Sequence, residues 1–261
     1  DEAGISVDLD GFQAEMESQR KRARAGADFG SDRSKIRVYD GLGIGNTNFL
    51  GYDQLSASSV IVGLISEGKS ISESTAGIEV EVVLVETPFY PEGGGQVGDA
   101  GKISTTDGTI DVNDTQIVLP GLISHIGKVL HGTLKIGARV NATVDRTRRE
   151  DTTRNHTATH LLHAALRQVL GTHVRQSGSM VGPDRLRFDF SHVEPLSQKE
   201  IESVEWLVNE KVRQNIGVHK DKDSYTSAIQ RGALAFFGDK YEDTVRLVEI
   251  ANGETFSFEV C

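Results

Sequence analysis

Residues 10–27 repeat their apolar positions at helical spacing, with Phe12, Met16 and Ala23 near one face and Asp10 and Gln13 forming a capping pair. A helix is expected there. The run from Gly26 to Ser34, rich in Gly, Asp and Ser, reads as a linker. Beyond it the pattern turns to β. Ile36-Arg37-Val38-Tyr39 is short and strand-like, and Ile78-Glu79-Val80-Glu81-Val82 alternates with period two before continuing through Val85. Thr106-Asp107-Gly108-Thr109 places Asp-Gly between strand-like flanks and predicts a hairpin. Short strands are also expected at Gln116–Leu119, Ile126–Leu130 and Arg139–Asp145. Many short strands punctuated by glycine predict a small barrel or sandwich over residues 35–145.

From Arg146 the period returns to helical. Thr153 through Leu170 carries Leu162, Ala165, Leu166 and Val169, and Gly171 is placed to stop the helix. Val174–Met180 and Leu186–Phe190 read as a strand pair around Gly182-Pro183-Asp184. Ser197-Gln198-Lys199-Glu200 is a capping box opening a helix to about Asn215, with Ile201, Val204, Val208 and Val212 on its buried face. A short helix near Ser224–Arg231 precedes strands at Val245–Ala251 and Phe256–Val260. The order predicts an α+β chain: a short N-terminal helix, a β-barrel subdomain, then a two-layer core with an antiparallel sheet over residues 146–261.

The 261 residues allow one large domain or two to three small ones, and no apolar run approaches the roughly 18 residues that cross a bilayer. The first residue is not Met and the single cysteine, Cys261, is the last residue, which reads as a piece of something longer. One cysteine excludes an intramolecular disulfide framework and fits a reducing, cytoplasmic compartment. A net charge of -10 argues against a surface coated all over in nucleic acid. Charge is unevenly spread, however. Arg20, Lys21, Arg22 and Arg24 read as a solvated helix face, whereas Arg146, Arg148, Arg149 and Arg154 lie at the start of the most chemically suggestive segment.

That segment is Asn155-His156-Thr157-Ala158-Thr159-His160. On a helix, positions four apart share a face, so both imidazoles can reach one metal ion. The spacing is half a zinc site, and equally two ordinary helix-surface histidines. Thr157 stands where a His-Glu-x-x-His protease carries its general base. His163 lies on roughly the same face within an Ala/Leu run, which assigns it to packing. Cys261 offers a thiolate ligand, or simply a small apolar side chain. Pro88-Phe89-Tyr90-Pro91-Glu92-Gly93-Gly94-Gly95-Gln96 is the second unusual element. Its glycines allow close backbone approach or an anion nest, and a plain turn would use them as well.

Five stretches in order resemble the alanyl-tRNA synthetase family in its editing region: Phe89–Gln96, Arg154–Leu166, Val174-Arg175-Gln176-Ser177-Gly178-Ser179, Leu186–His192 and Gly232–Tyr241. Asp10-Gly11-Phe12 with the basic helix after it resembles the end of that family's helical tRNA-recognition domain, so residues 1–34 are expected to be its remnant and linker. The helix separates the chain from short free-standing editing proteins, which remain the alternative of the same fold. A non-catalytic tRNA-binding module stabilised by zinc is the alternative from another class.

The resemblance implies a zinc ion held by His156, His160 and Cys261, with a fourth ligand expected past the chain end. It implies that Thr159 and Gln176 line the editing pocket, and that Gly93, Gly94, Gly95, Gln96 and Arg154 meet the tRNA(Ala) acceptor end. The implied reaction is hydrolysis of seryl- or glycyl-tRNA(Ala). ATP and Mg2+ are expected only in an aminoacylation domain that this chain does not include.

Overall fold

The computed structural model describes residues 8, 11, 12, 16, 36–236 and 243–261. The helix expected over 10–27 lies mostly outside them. Gly11, Phe12 and Met16 are helical, and the cap is Asp8, whose Oδ1 accepts from Gly11 N at 2.9 Å. The linker and the Phe237–Tyr241 part of the fifth stretch also lie outside the described residues.

Residues 36–40 are helical, not a strand. Gly41 N bonds back to Arg37 O at 3.0 Å and Leu42 N to Tyr39 O at 3.1 Å, so the turn is closed by the glycine that follows it. The turn buries Tyr39 against Ile65, Val83 and Leu122, a demand that the four-residue pattern did not reveal.

Ten strands follow: β1 (Asn48–Phe49), β2 (Ser56–Ser66), β3 (Lys69–Ser70), β4 (Glu73–Thr75), β5 (Glu79–Leu84), β6 (Glu86–Thr87), β7 (Gly101–Ser104), β8 (Gly108–Leu119), β9 (Leu122–Lys135) and β10 (Arg139–Val144). Six of them run in the order β10-β7-β8-β9-β5-β2, and the antiparallel pairing of β10 with β2 closes the barrel. Alternate residues point inward: Val80, Val82 and Leu84 from β5, Ile110 and Val112 from β8, and Val140, Ala142 and Val144 from β10. Phe89 completes this core from the loop after β6. The strands read as Gln116–Leu119 and Ile126–Leu130 are parts of the longer β8 and β9, and β2 carried too little alternation to be recognised.

β10 runs directly into helix α1 (Arg146–Leu170), which starts seven residues earlier than Thr153. Asp145 ends the strand and caps the helix, its side chain accepting from Arg148 N. A hairpin follows, β11 (Gln176–Val181) with β12 (Leu186–Phe190), then helix α2 (Gln198–Arg213), whose Ser197–Glu200 capping box is present. Val204 and Leu207 are the buried residues of α2, while Ile201 and Val212 face solvent; the inward stripe is narrower than the apolar pattern suggested. Finally β13 (Gly217–Ser224), α3 (Tyr225–Gln230), β14 (Thr244–Asn252) and β15 (Glu254–Val260) supply a three-stranded antiparallel sheet in the order β13-β14-β15. Helix α1 packs on α2 and on β15. Leu161 of α1 meets Val248 and Ile250 of the sheet, and Ala165 and Leu166 meet Val204 and Leu207. The fold is α+β.

One buried ion pair fastens barrel to helix. Arg149 engages Asp99, and its guanidinium also donates to Gly51 O at 2.7 Å and Pro88 O at 2.9 Å. Asp99 Oδ2 in turn accepts from Tyr90 N at 2.7 Å. The loop bearing the glycine triplet is thereby held at the N-terminal part of α1.

Candidate metal centre and its cavities

Helix α1 places His156 and His160 one turn apart, with rings stacked 5.3 Å between centroids. β15 delivers Cys261 from the opposite side. The donor atoms of His156, His160 and Cys261 all lie within 4.8 Å of one another, and Cys261 Sγ is 3.2 Å from His156 Nε2. Although Cys261 as a residue is exposed, its sulfur faces inward, 3.5 Å from Arg246 Nη1.

The outer nitrogen of each imidazole is held. His156 Nδ1 lies 2.7 Å from Gln96 Oε1, and His160 Nδ1 lies 2.7 Å from Glu259 Oε2. With Nδ1–H donating to an oxygen, Nε2 is the nitrogen turned to the sulfur, and it would offer a lone pair once a metal replaced the proton shared there. Among the described residues His160 Nε2, like His163 Nε2, is buried with no hydrogen-bond partner, and His160 is the one of the two grouped with the sulfur, where a metal would satisfy it. Two imidazole nitrogens and a thiolate are also the donor set that zinc favours. The residues fit the ion.

Electrostatics follow from the same contacts. Burial raises the Cys261 thiol, but its contacts with His156 and His160 outweigh this and bring it down to about 5. Burial lowers His160, yet Cys261 and Glu259 on either side hold it up at about 10. Glu259 overcomes its own burial through His160 and His163 and stays at about 2. Two anions thus converge on His160, which is the field a cation would meet.

Glu259 was not found from the sequence. It is 4% exposed, and its Oε1 accepts from His163 Nδ1 at 2.9 Å and from Ser257 Oγ at 3.0 Å. The available signal was periodicity: Ser257, Glu259 and Cys261 share one face of β15, an unusual place for an acid between Phe258 and Val260. His163 is fully buried against Phe188 and Phe236, as its Ala/Leu setting predicts, while its Nδ1 joins the polar network.

Two small cavities flank the triad. The first, about 140 Å3, adds Gly94, Thr159, Gln176 and Ser179. The second, about 150 Å3, adds Gln96, Arg149, Thr157 and Lys220. Tyr52, Tyr90 and Arg246 border both together with the triad; Tyr90 belongs to the glycine-rich stretch, whereas Tyr52 and Arg246 were not singled out in the sequence. Burial, then the charges of Tyr52 and Cys261, push the Tyr90 hydroxyl up to about 12, so it stays protonated. Gly93, Gly95 and Arg154 line neither cavity. Arg154 is exposed and pairs with Asp151 and Glu150 of its own helix.

The glycine-rich loop also joins barrel and core. Gly93 and Gln96 exchange backbone bonds at 3.0–3.1 Å, Val181 N donates to Gly95 O at 2.8 Å, and Val97 N donates to Val181 O at 3.0 Å. A Cβ on Gly95 would stand 2.7 Å from Ser179 O, so only glycine lets the loop lie this close to β11.

Residues 1–148 match the family model of tRNA synthetases class II (A). The chain belongs to that family. Among class II tRNA synthetases its relatives include the alanine–tRNA ligases of Chloroflexus aurantiacus, Haemophilus influenzae and Dehalococcoides mccartyi, each 44% identical. The matches cover 98% to 100% of this chain but only 28% to 30% of each ligase. The chain therefore spans less than a third of the length of these synthetases. Among the described residues no helix is long and apolar enough to cross a membrane.

Proposed function

We propose that this chain is the proofreading part of an alanine–tRNA ligase, hydrolysing the ester that joins serine or glycine to the terminal adenosine of tRNA(Ala). The observation that carries the reading is the 140 Å3 cavity that sets Thr159 and Gln176 beside His156, His160 and Cys261. A pocket shaped for alanine cannot keep out smaller glycine, and it rejects serine, one hydroxyl larger, by only about 100-fold. A second site with polar partners reads the hydroxyl that alanine lacks.

Thr159 Oγ1 donates its proton to Asn155 O at 2.9 Å, so toward the cavity it offers only lone pairs and accepts from a serine hydroxyl. Gln176 makes no side-chain hydrogen bond among the described residues, leaving both ends of its carboxamide for the substrate or the attacking water. Gln96 and Glu259 hold the imidazoles in the tautomer that presents Nε2. Zinc is the ion this donor set would take, held by His156 Nε2, His160 Nε2 and Cys261 Sγ, and it supplies a Lewis acid for a carbonyl, amine or water. Glu259 has both oxygens occupied by histidines, so it orients and does not take the water proton.

The test is hydrolysis of seryl-, glycyl- and alanyl-tRNA(Ala) by this chain and by its Thr159→Val and Gln176→Ala variants, with zinc content checked in each. The seryl-to-alanyl rate ratio should fall by about 5- to 150-fold, the worth of a buried hydroxyl contact. Equal losses on both esters would remove the specificity role. Tight tRNA binding without hydrolysis would make the chain a binding module.

A further inference from the structure

The two cavities that meet at the triad differ in chemistry. On the Thr159 side the added residues include no cation: Gly94, Gln176, Ser179, Val181 and Phe236 are neutral, and the one charged residue is Glu259, whose oxygens face His160 and His163. On the other side they include two cations, Arg149 and Lys220. Arg149 is already occupied by Asp99 and two carbonyls. Lys220 is exposed and has no ion pair among the described residues.

Arg246 stands at the divide. It is partly buried, its side-chain contacts are Cys261 Sγ at 3.5 Å and the Tyr52 ring at 5.0 Å, and no carboxylate pairs with it among the described residues. A half-desolvated guanidinium paired with no carboxylate, its one anionic neighbour being the Cys261 sulfur that a metal would share, is placed beside an open cavity for an anionic or π-rich ligand. Tyr52 is 55% exposed and is steadied edge-on by Phe49 at 4.9 Å between ring centroids. An exposed, braced aromatic with a guanidinium over it is the kind of platform on which a nucleobase stacks.

We propose that Tyr52, Arg246 and Lys220 form the subsite for the terminal nucleotide of the RNA, the base stacking on Tyr52 and Arg246 and a backbone phosphate lying toward Lys220. The aminoacyl group then falls into the cavity of Thr159 and Gln176, and the ester bond falls beside the triad that both cavities share. The assignment rests on the proofreading reading above and adds to it the polarity with which the substrate enters.

Two uncharged RNA hairpins test it without any hydrolysis, one ending in the full single-stranded CCA and one lacking the final adenosine. For the unsubstituted chain, deleting the adenosine should weaken binding by about 5- to 150-fold, the range for one base stacked on an aromatic. In Tyr52→Ala and Arg246→Lys that penalty should shrink to less than about 3-fold, with zinc content unchanged. Lys220→Ala, a change at an exposed residue that leaves the fold alone, should lower the slope of log affinity against log salt by about 0.7. An adenosine penalty absent from the unsubstituted chain, or undiminished in both variants, overturns the subsite. A penalty that behaves as described in a chain that does not cleave seryl-tRNA(Ala) keeps the subsite and removes the hydrolytic reading. Cleavage with unaltered KM in Tyr52→Ala and Arg246→Lys does the reverse.

Discussion

Gln96 of the barrel and His156 of helix α1, 60 residues apart in the chain, meet at 2.7 Å between Oε1 and Nδ1. The contact makes the barrel loop the support of a metal-binding side chain in the other half of the protein. Replacing Gln96 by Leu keeps the volume roughly but removes the acceptor. Zinc affinity, measured by competition with a chromophoric chelator, should fall about 10- to 100-fold. Gln96→Glu retains an acceptor oxygen and should stay within a few-fold of the original. If Leu and Glu behave alike, the contact is packing and not orientation.

The glycine triplet yields a contrast between two neighbours. Gly94 has φ of +59° and open space, with nothing within 4 Å of where a Cβ would stand, whereas Gly95 has φ of +84° and faces Ser179 O. Gly94→Ala should cost about 1 kcal/mol in urea unfolding, the price of a left-handed backbone alone. Gly95→Ala adds a steric clash between barrel loop and β11, and should cost at least about 2 kcal/mol. Equal costs would mean that the loop can withdraw from β11 without loss.

His125 sits inside the barrel, fully buried, its Nδ1–H donating to Val82 O at 2.8 Å and its Nε2 accepting from Thr87 Oγ1 at 2.6 Å. Burial pushes its pKa down to about 4, against the opposing pull of the Val82 carbonyl. Between the ordinary value of about 6.5 and this one, the unfolded chain binds a proton that the folded chain refuses. The contribution is therefore complete above pH 6.5 and is lost as the pH falls toward 4, on the order of 3 kcal/mol in all. His125→Asn should be less stable at pH 7.5, and the gap to the unsubstituted chain should narrow by pH 5 in urea titrations. A gap independent of pH would mean that His125 titrates normally.

Local rules recovered much of the architecture. The Asp107-Gly108 hairpin, the Ser197–Glu200 capping box, the stop at Gly171 and the strand pair around Pro183 depend on neighbours a few residues away, and each is present. The 36–40 turn was misread because four residues satisfy either period, and the burial of Tyr39 against β5 and β9 decided between them. Within the site, His156 and His160 declare themselves by spacing on one helix. Glu259, Arg246 and Tyr52 do not, since Glu259 meets His160 across 99 residues and Arg246 meets Tyr52 across about 190, pairings that the barrel and sheet bring together. The position of Arg154 in a suggestive stretch carries no information about direction; the helix leaves it exposed beside its own acidic neighbours.

Arg149 has a consequence for how the protein comes apart. Its guanidinium is 13% exposed and Asp99 4%, and separating the barrel from α1 would break this pair together with its bonds to two carbonyls. Removing one partner of such a pair typically costs about 3–5 kcal/mol, a large fraction of the roughly 5–15 kcal/mol that keeps a domain folded. Residues 35–145 and 146–261, so distinct in texture along the chain, should melt in one transition.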